Sequence, residues 1–166
     1  FTIAADNAVF GQAGPRVSSP ADGFFVPYLT KVIGTKKARE MWMLCRKYKA
    51  PEALAMGLVN TVVPLDELEA EVDKWAAEML AVSPGCLEVL KAAFDQEMDG
   101  YKESCVISAG MYPDWFDMPE GKEGGSAFVE KRKAEFWSIR EREAAMRQQL
   151  LEEYEAMQAE RKSGNA

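Results

Sequence analysis

Residues Gly34–Glu69 read GTKKAREMWMLCRKYKAPEALAMGLVNTVVPLDELE, and their pattern is the most informative about the fold. The first third of this stretch has apolar residues at the helical spacing i, i+3, i+4, i+7. These residues are Ala38, Met41, Trp42 and Cys45. We expect a helix there with one buried face and with Thr35 as its N-cap. A short helix should begin at Pro51 and end at Gly57, and LVNTVV (58–63) is a strand candidate.

Two short apolar runs lie near the start of the chain. FTIAA (1–5) and AVFG (8–11) are separated by an Asp-Asn pair. Because Asp and Asn favour turns, we predict two strands joined by a tight turn. A loop rich in proline, serine and glycine should follow from residue 14, and then a helix over 24–32.

Several helices are predicted after residue 65. Asp66 can cap the first, and Ser83 followed by Pro84 is a start signal for the second. The expected core residues of these two helices are Leu68, Val72, Trp75, Met79 and Val82, then Leu87, Leu90 and Phe94. A short helix around 106–111 and a loop over 113–125 should come next.

The end of the chain has the clearest helical pattern. Ser138 and Glu141 match the S-x-x-E capping box, and apolar residues recur behind it. These residues are Ile139, Met146, Leu150, Tyr154 and Met157. With Gly164 just past its end, the helix should have about 22 residues and a length of roughly 33 Å. Since its apolar stripe is narrow, we expect it to pack along a partner surface.

The composition is that of a soluble globular protein with an acidic balance. The chain has 166 residues, of which 48% are hydrophobic and 28% charged, and its formal net charge is −7. A field of that sign disfavours nonspecific binding to nucleic acid and to anionic membranes. No apolar run is long enough to span a bilayer. We therefore expect neither nucleic acid nor a membrane as a partner.

Histidine is absent, which removes Ser-His-Asp catalysis, Cys-His catalysis and every histidine metal site. Any general acid or base must be Asp, Glu, Lys, Tyr, Cys, a bound ion or water. Cys45, Cys86 and Cys105 are odd in number and widely spaced, so each is better explained as a small buried hydrophobe. A reducing, cytoplasmic compartment fits this use of cysteine. The chain starts at Phe1, without methionine, and we expect it to be part of a longer polypeptide.

Three segments could carry chemistry, and each also has a purely structural explanation. FGQAGP (10–15) is a glycine-rich connection where backbone could approach a ligand closely, or it is a plain turn. In SSPADG (18–23), Asp22 precedes an apolar run that would raise the carboxyl pKa, or Asp22 is an ordinary helix cap. The basic clusters over 36–49 and 131–133 could bind phosphates or be solvated helix faces.

Three separated blocks of the sequence resemble one family, in the order in which that family has them. They are AADNAVFGQAGPRV (4–17), the Gly34–Glu69 stretch and EGKEGGSAFVEKRKAEF (120–136). Together they are similar to the C-terminal half of the crotonase (enoyl-CoA hydratase/isomerase) superfamily. The resemblance implies an α/β fold, a ClpP/crotonase-like ββα spiral, of which this chain would be the mainly α-helical C-terminal half with a few short strands.

The same resemblance implies how the chain is divided and what it binds. Residues 1–64 would end the spiral core, 65–136 would form a helical trimerisation and CoA-contact region, and 137–166 would be a long amphipathic tail. The partners implied are an acyl-CoA substrate and further copies of the chain, as a homotrimer or hexamer. No metal and no covalently bound cofactor are implied; CoA enters as part of the substrate, with bicarbonate as a candidate ligand.

Residue by residue, the resemblance assigns an active site. Simple hydratases of the superfamily have FGQPE, whose Glu adds water, and this chain has Gly14 at that place. Members that use bicarbonate hold it with a Gln, a Gly and a Trp, which Gln12, Gly14 and Trp42 match. Ser19 matches a catalytic Ser of those members, and Asp22 stands one residue later than their catalytic Asp.

The remaining assignments concern CoA and the reaction. Phe128 and Lys131 match positions that, from a neighbouring subunit, pack on the CoA adenine and pair with its 3′-phosphate. The two N–H groups of the family's oxyanion hole lie upstream of Phe1. Two groups of the superfamily are closest, the 6-oxocyclohex-1-ene-1-carbonyl-CoA hydrolases and the 1,4-dihydroxy-2-naphthoyl-CoA synthases. The resemblance favours the first group, which opens a ring by water addition and C–C cleavage in anaerobic aromatic degradation. A non-catalytic oligomerisation segment is the alternative from another class.

Overall fold

The computed structural model describes residues 1–20, 25–101 and 107–163. The chain divides into two compact units, Phe1–Pro113 and Asp114–Ala166. The boundaries expected after residues 64 and 136 concern roles within the family fold and stay predictions. Helices dominate both units, as expected for this half of the fold.

Four short strands form two separate pairs in the first unit. They are β1 (Ile3–Ala5), β2 (Val9–Gly11), β3 (Lys47–Lys49) and β4 (Thr61–Val63). A turn closed by the Ala8 N–H and the Ala5 carbonyl (3.0 Å) joins β1 to β2, as predicted. The two do not pair with each other, however: β1 runs parallel to β4, and β2 runs antiparallel to β3.

The helices of the first unit are α1 (Phe25–Ile33), α2 (Thr35–Leu44), α3 (Ala50–Ala55), α4 (Leu68–Leu80), α5 (Pro84–Asp99) and α6 (Ile107–Met111). The predicted N-cap at Thr35 is wrong, because the cap is Gly34, whose φ of +79° suits glycine. Asp66 is not the cap of α4, since it lies in a 3-10 turn that precedes the helix. The start of α5 at Pro84 is confirmed, and the Leu87 N–H donates to the Ser83 carbonyl (3.1 Å).

The core of the first unit lies where α1 and α2 pack against each other and against β3. One cluster contains Leu29, Ile33, Ala38, Met41 and Tyr48, and a second contains Ala4, Ala50, Ala53 and Val59. The apolar stripes predicted for α4 and α5 are not part of this core: Val72, Met79, Val82, Leu90 and Phe94 are all exposed. Leu68, Trp75 and Leu87 of the same stripes are half-buried, and the Trp75 ring packs edge-on against Phe1 at 5.3 Å. The expectation that the stripes point into a core is therefore wrong for the five exposed residues in one copy of the chain.

The second unit consists of a 3-10 turn (Trp115–Asp117), α7 (Pro119–Val129) and α8 (Phe136–Ser163). The loop predicted over 113–125 is wrong from Pro119 onward, because proline opens a helix at this position. Gly121 is buried there, and a Cβ on it would overlap the Trp115 carbonyl oxygen, so close packing requires this glycine.

The tail helix α8 begins before the predicted capping box. The Ser138 hydroxyl donates to the Glu135 carbonyl (2.9 Å), so Ser138 lies inside the helix and does not cap it. Ile139 is buried, whereas the rest of the stripe, Met146, Leu150, Tyr154 and Met157, is exposed. Gly164 lies outside the described residues. No helix in the described part of the chain is both long enough and apolar enough to cross a membrane.

Candidate active site

The glycine-rich connection after β2 folds into a tight 3-10 turn over Gly14–Val17. The Ser19 N–H donates to the Gly14 carbonyl (2.9 Å) and closes the turn. Between them, the buried Ser18 adopts the left-handed conformation with φ +55°. Glycine would favour this backbone conformation, whereas a residue with a side chain adopts it at a cost. Strain of this kind is typical of functional loops.

Gly14 lies in a space that admits no side chain without a shift. A Cβ placed on Gly14 would lie 2.7 Å from the Ser19 carbonyl oxygen and 3.8 Å from Cζ3 of Trp42. The turn and α2 therefore meet at this glycine. A carboxylate side chain, such as the one that simple hydratases have here, would have to displace the Ser19 backbone.

Trp42 also contains a buried donor. Its indole Nε1 is inaccessible to solvent and has no hydrogen-bond partner among the described residues. A buried donor without an acceptor costs about 1–3 kcal/mol, so a ligand that offers an acceptor would be favoured here. Directly after α2, the C-cap residue Cys45 is left-handed (φ +50°), and its Sγ lies 3.8 Å from the Trp42 carbonyl oxygen.

The orientation of α2 is fixed by a polar cluster on β3. The Tyr48 hydroxyl donates to Glu40 Oε1 (2.6 Å), and Arg46 Nη1 lies 3.1 Å from the same oxygen. The hydrogen bond from Tyr48, followed by those from Arg46 and Lys37, lowers the pKa of Glu40 to about 2. Burial, together with the bond to Glu40, raises the pKa of Tyr48 to about 12. Lys37 and Arg46 thus pair with Glu40, as structural members of the predicted basic cluster.

Of the five predicted catalytic residues, the structure brings three together. Gly14, the Ser19 backbone and the Trp42 ring are in contact, while Gln12 is half-buried two residues before Gly14. Asp22 lies outside the described residues, so its role and its possible capping of α1 stay predictions. The left-handed conformations of Ser18 and Cys45 were not predicted, because they depend on tertiary packing.

The cysteines divide between buried and exposed. Cys45 is buried, as predicted, whereas Cys86 is exposed near the start of α5, which contradicts the expectation for that residue. Cys105 lies outside the described residues. In residues 1–20, 25–101 and 107–163, no group of three or more acidic or cysteine side chains is arranged to hold a metal ion.

The predicted CoA-contact residues lie at the C-terminal end of α7. Phe128 is 72% exposed, and Lys131 is exposed and left-handed (φ +56°). The Lys131 N–H donates to the Phe128 carbonyl (3.2 Å), and the Arg132 N–H donates to the Ala127 carbonyl (3.0 Å). These two bonds define a Schellman motif, in which the left-handed position is usually glycine. A left-handed lysine there costs about 1–2 kcal/mol more than glycine would.

Comparison with known proteins identifies the family. Residues 1–139 match the family model described as enoyl-CoA hydratase/isomerase. An enoyl-CoA hydratase structure from Mycobacterium avium subsp. paratuberculosis is 30% identical, with a TM-score of 0.68 over 81% of this chain and 55% of that chain. A methylmalonyl-CoA decarboxylase in complex with 2-nitronate-propionyl-CoA is 26% identical, with a TM-score of 0.72 over 81% and 53%.

A third structure, an enoyl-CoA hydratase/isomerase from Pseudoalteromonas atlantica, is 24% identical and has a TM-score of 0.73 over 81% of this chain and 54% of that chain. The chain thus spans about half the length of these solved relatives. The expected fold class is confirmed: this is the mainly helical half of a crotonase fold with a few short strands. The chain belongs to the enoyl-CoA hydratase/isomerase family.

Proposed function

We propose that the protein acts on an acyl-CoA thioester and opens the ring of 6-oxocyclohex-1-ene-1-carbonyl-CoA by hydrolysis. The observation that carries this proposal furthest is the packing around Gly14, where a Cβ would lie 2.7 Å from the Ser19 carbonyl oxygen. A glutamate at this position, as in simple hydratases, does not fit the turn. Chemistry other than plain two-carboxylate hydration is therefore favoured.

The length of the tail supports the same choice within the family. The family model matches only as far as residue 139, whereas α8 continues to Ser163. A chain that extends beyond the common family ending resembles the ring-opening hydrolases, whose members are longer than the naphthoyl-CoA synthases.

The proposed reaction consumes two molecules of water. The first adds across the double bond conjugated to the thioester, and the second cleaves the C–C bond beside the ring ketone, which leaves a new carboxylate. Negative charge develops on the thioester oxygen, and the family's two backbone N–H donors would stabilise it. Ser19 and Asp22 would orient water or transfer protons, in keeping with a chain that has no histidine.

The donors of Gln12 and Trp42 suit bicarbonate. The unpartnered Trp42 Nε1–H and the carboxamide N–H of Gln12 are neutral donors of the kind that a small oxyanion accepts. When bound, bicarbonate would supply the base that the missing carboxylate supplies in simple hydratases. We therefore propose Gln12, Gly14 and Trp42 as its binding residues.

Two other functions have specific support. The trio Gln12, Gly14 and Trp42 also favours a 1,4-dihydroxy-2-naphthoyl-CoA synthase, which closes a ring by a Claisen-type condensation. The exposed apolar residues of α5 and α8 favour a non-catalytic role in oligomerisation. Because this chain alone should be inactive without the oxyanion hole, the test uses the intact enzyme. Its incubation with the CoA ester of each reaction, followed by mass measurement of the products, separates the three. The ring-opened product is heavier than its substrate by two waters, the condensation product is lighter by one, and an oligomerisation segment converts neither.

Asp22 has a separate test, because its two proposed roles respond differently to one substitution. Asn caps a helix nearly as well as Asp, so Asp22→Asn preserves the melting temperature in either case. As an acid or base, however, Asp22 contributes roughly 10²–10⁴-fold in rate. We expect Asp22→Asn to lower kcat by at least about 100-fold. If turnover is kept while Asp22→Ala melts earlier, Asp22 is a helix cap.

A further inference from the structure

The connection between α7 and α8, residues 130–135, is held by one carboxylate. Glu123 lies on α7, and its two carboxylate oxygens accept hydrogen bonds from Nη1 and Nη2 of Arg132. The bond from Nη2 to Oε2 is 2.9 Å long. Glu123 Oε1 also accepts the Glu135 N–H (2.9 Å). Arg132 Nε in turn donates to Glu130 Oε2 (2.6 Å). The Glu123 side chain thus holds both Arg132 and Glu135 within the connection.

Lys131 is the residue that this arrangement confines. It follows Glu130 and precedes Arg132, so both of its neighbours in the chain take part in the ion-pair cluster. Its own ammonium makes no ion pair within the part of the chain that the structure describes. The bidentate contact restrains direction as well as distance, because a guanidinium and a carboxylate are both planar forks.

We propose that Glu123 and Arg132 form a clamp that positions Lys131 for the 3′-phosphate of CoA. This inference rests on the proposed function, in which Lys131 pairs with that phosphate. The clamp acts on the backbone: it holds the left-handed turn, and so the direction in which the Lys131 side chain leaves the chain. Glu123 and Arg132 are positioning residues, since neither needs to touch the ligand.

The same pair of helices provides a matched control. Arg140 Nε on α8 donates to Glu120 Oε2 on α7 (2.6 Å), and the Glu120 side chain is about as buried as that of Glu123. Glu120 lies three residues before Glu123, and its bond reaches α8 directly rather than the 130–135 connection. Loss of either ion pair removes a link between α7 and the rest of the unit, but only loss of the Glu123 pair releases Lys131.

The experiment compares binding of CoA with binding of 3′-dephospho-CoA to the full chain at low salt. The ratio of the two dissociation constants isolates the contribution of the 3′-phosphate, which a general loss of stability would not change. We expect a ratio of roughly five in the wild type and in Glu120→Gln. The ratio should fall toward one in Lys131→Ala, Glu123→Gln and Arg132→Lys. The last of these variants keeps the positive charge but loses the bidentate hydrogen bonds. In a Lys131→Ala background, Glu123→Gln should have no further effect.

The outcomes separate the clamp from the function on which it rests. If Lys131→Ala lowers the ratio and Glu123→Gln and Arg132→Lys do not, the clamp is refuted and the CoA site stands. A ratio unchanged in Lys131→Ala refutes both. Amide hydrogen exchange gives a readout without ligand: we expect faster exchange at Lys131, Arg132 and Glu135 in Glu123→Gln but not in Glu120→Gln. Unchanged exchange in Glu123→Gln would also overturn the proposal.

Discussion

Lys131 is the residue at which function and stability should separate most clearly. Lys131→Gly and Lys131→Ala both remove the ammonium group, but only glycine relieves the left-handed backbone at φ +56°. Relief of about 1–2 kcal/mol of strain is partly offset by about 0.5–1 kcal/mol from the added flexibility of glycine in the unfolded chain. The net stabilisation expected for Lys131→Gly is about 1 kcal/mol, or roughly 2–4 °C in melting temperature for a chain of this size.

Binding should move in the opposite direction from stability. An exposed charge pair with a phosphate contributes about 1 kcal/mol, so both variants should bind CoA roughly fivefold more weakly at low salt. The difference from the wild type should shrink as salt is raised, because exposed charges are screened. Calorimetric melting and a CoA titration measure the two effects on the same samples.

Two results would refute this reasoning in different ways. If Lys131→Gly melts earlier than Lys131→Ala, the left-handed turn does not carry the strain that its φ indicates. If both variants bind CoA as tightly as the wild type at low salt, Lys131 belongs to a solvated helix end. The only role of its positive charge would then be a favourable interaction with the dipole of α7 at the C-terminus of the helix.

Three further predictions follow from other contacts. Gly14→Ala should cost about 1–3 kcal/mol in a denaturant titration, because its Cβ would overlap the Ser19 carbonyl, and an unchanged midpoint would contradict that packing. Hydrogen bonds from Arg132 and the Glu135 backbone lower the pKa of Glu123 from 4.5 to about 2. Its stabilisation should be complete above about pH 4.5 and be lost as the pH falls toward 2, so wild type and Glu123→Gln should melt increasingly alike in acid. In light scattering, Leu150→Glu should lower the oligomeric state, since Leu150 lies on the tail's apolar stripe, whereas Leu151→Glu should not; equal effects would refute pairing through that stripe.

The sequence predicted correctly those helix ends that depend only on neighbouring residues in the chain. Pro84 begins α5 because proline lacks the N–H that a first helical turn leaves unpaired, and a dipeptide is enough to indicate this. The helical face of α2, with Ala38 and Met41 buried, followed from spacing alone. The contact between Trp42 and the turn at Gly14 was anticipated only through the family resemblance.

Other features depend on distant partners and could not be predicted in this way. The glycines of α7 suggested a loop, yet Gly121 is there because the Trp115 carbonyl packs against its backbone. The strand β3 has only three residues, two of them lysines, and becomes a strand by pairing with β2 and burying Tyr48. The left-handed conformation of Lys131 likewise follows from the bonds that end α7 rather than from a glycine.

The proposal that the intact enzyme opens a ring with two molecules of water can be tested by turnover in isotopically labelled water. With 6-oxocyclohex-1-ene-1-carbonyl-CoA as the substrate, mass spectrometry of the product and its fragments locates each labelled oxygen. We predict one label in a new hydroxyl group and one in a new carboxylate, in an open-chain product. A product that keeps its ring and carries a single hydroxyl label would show a hydratase and contradict the claim.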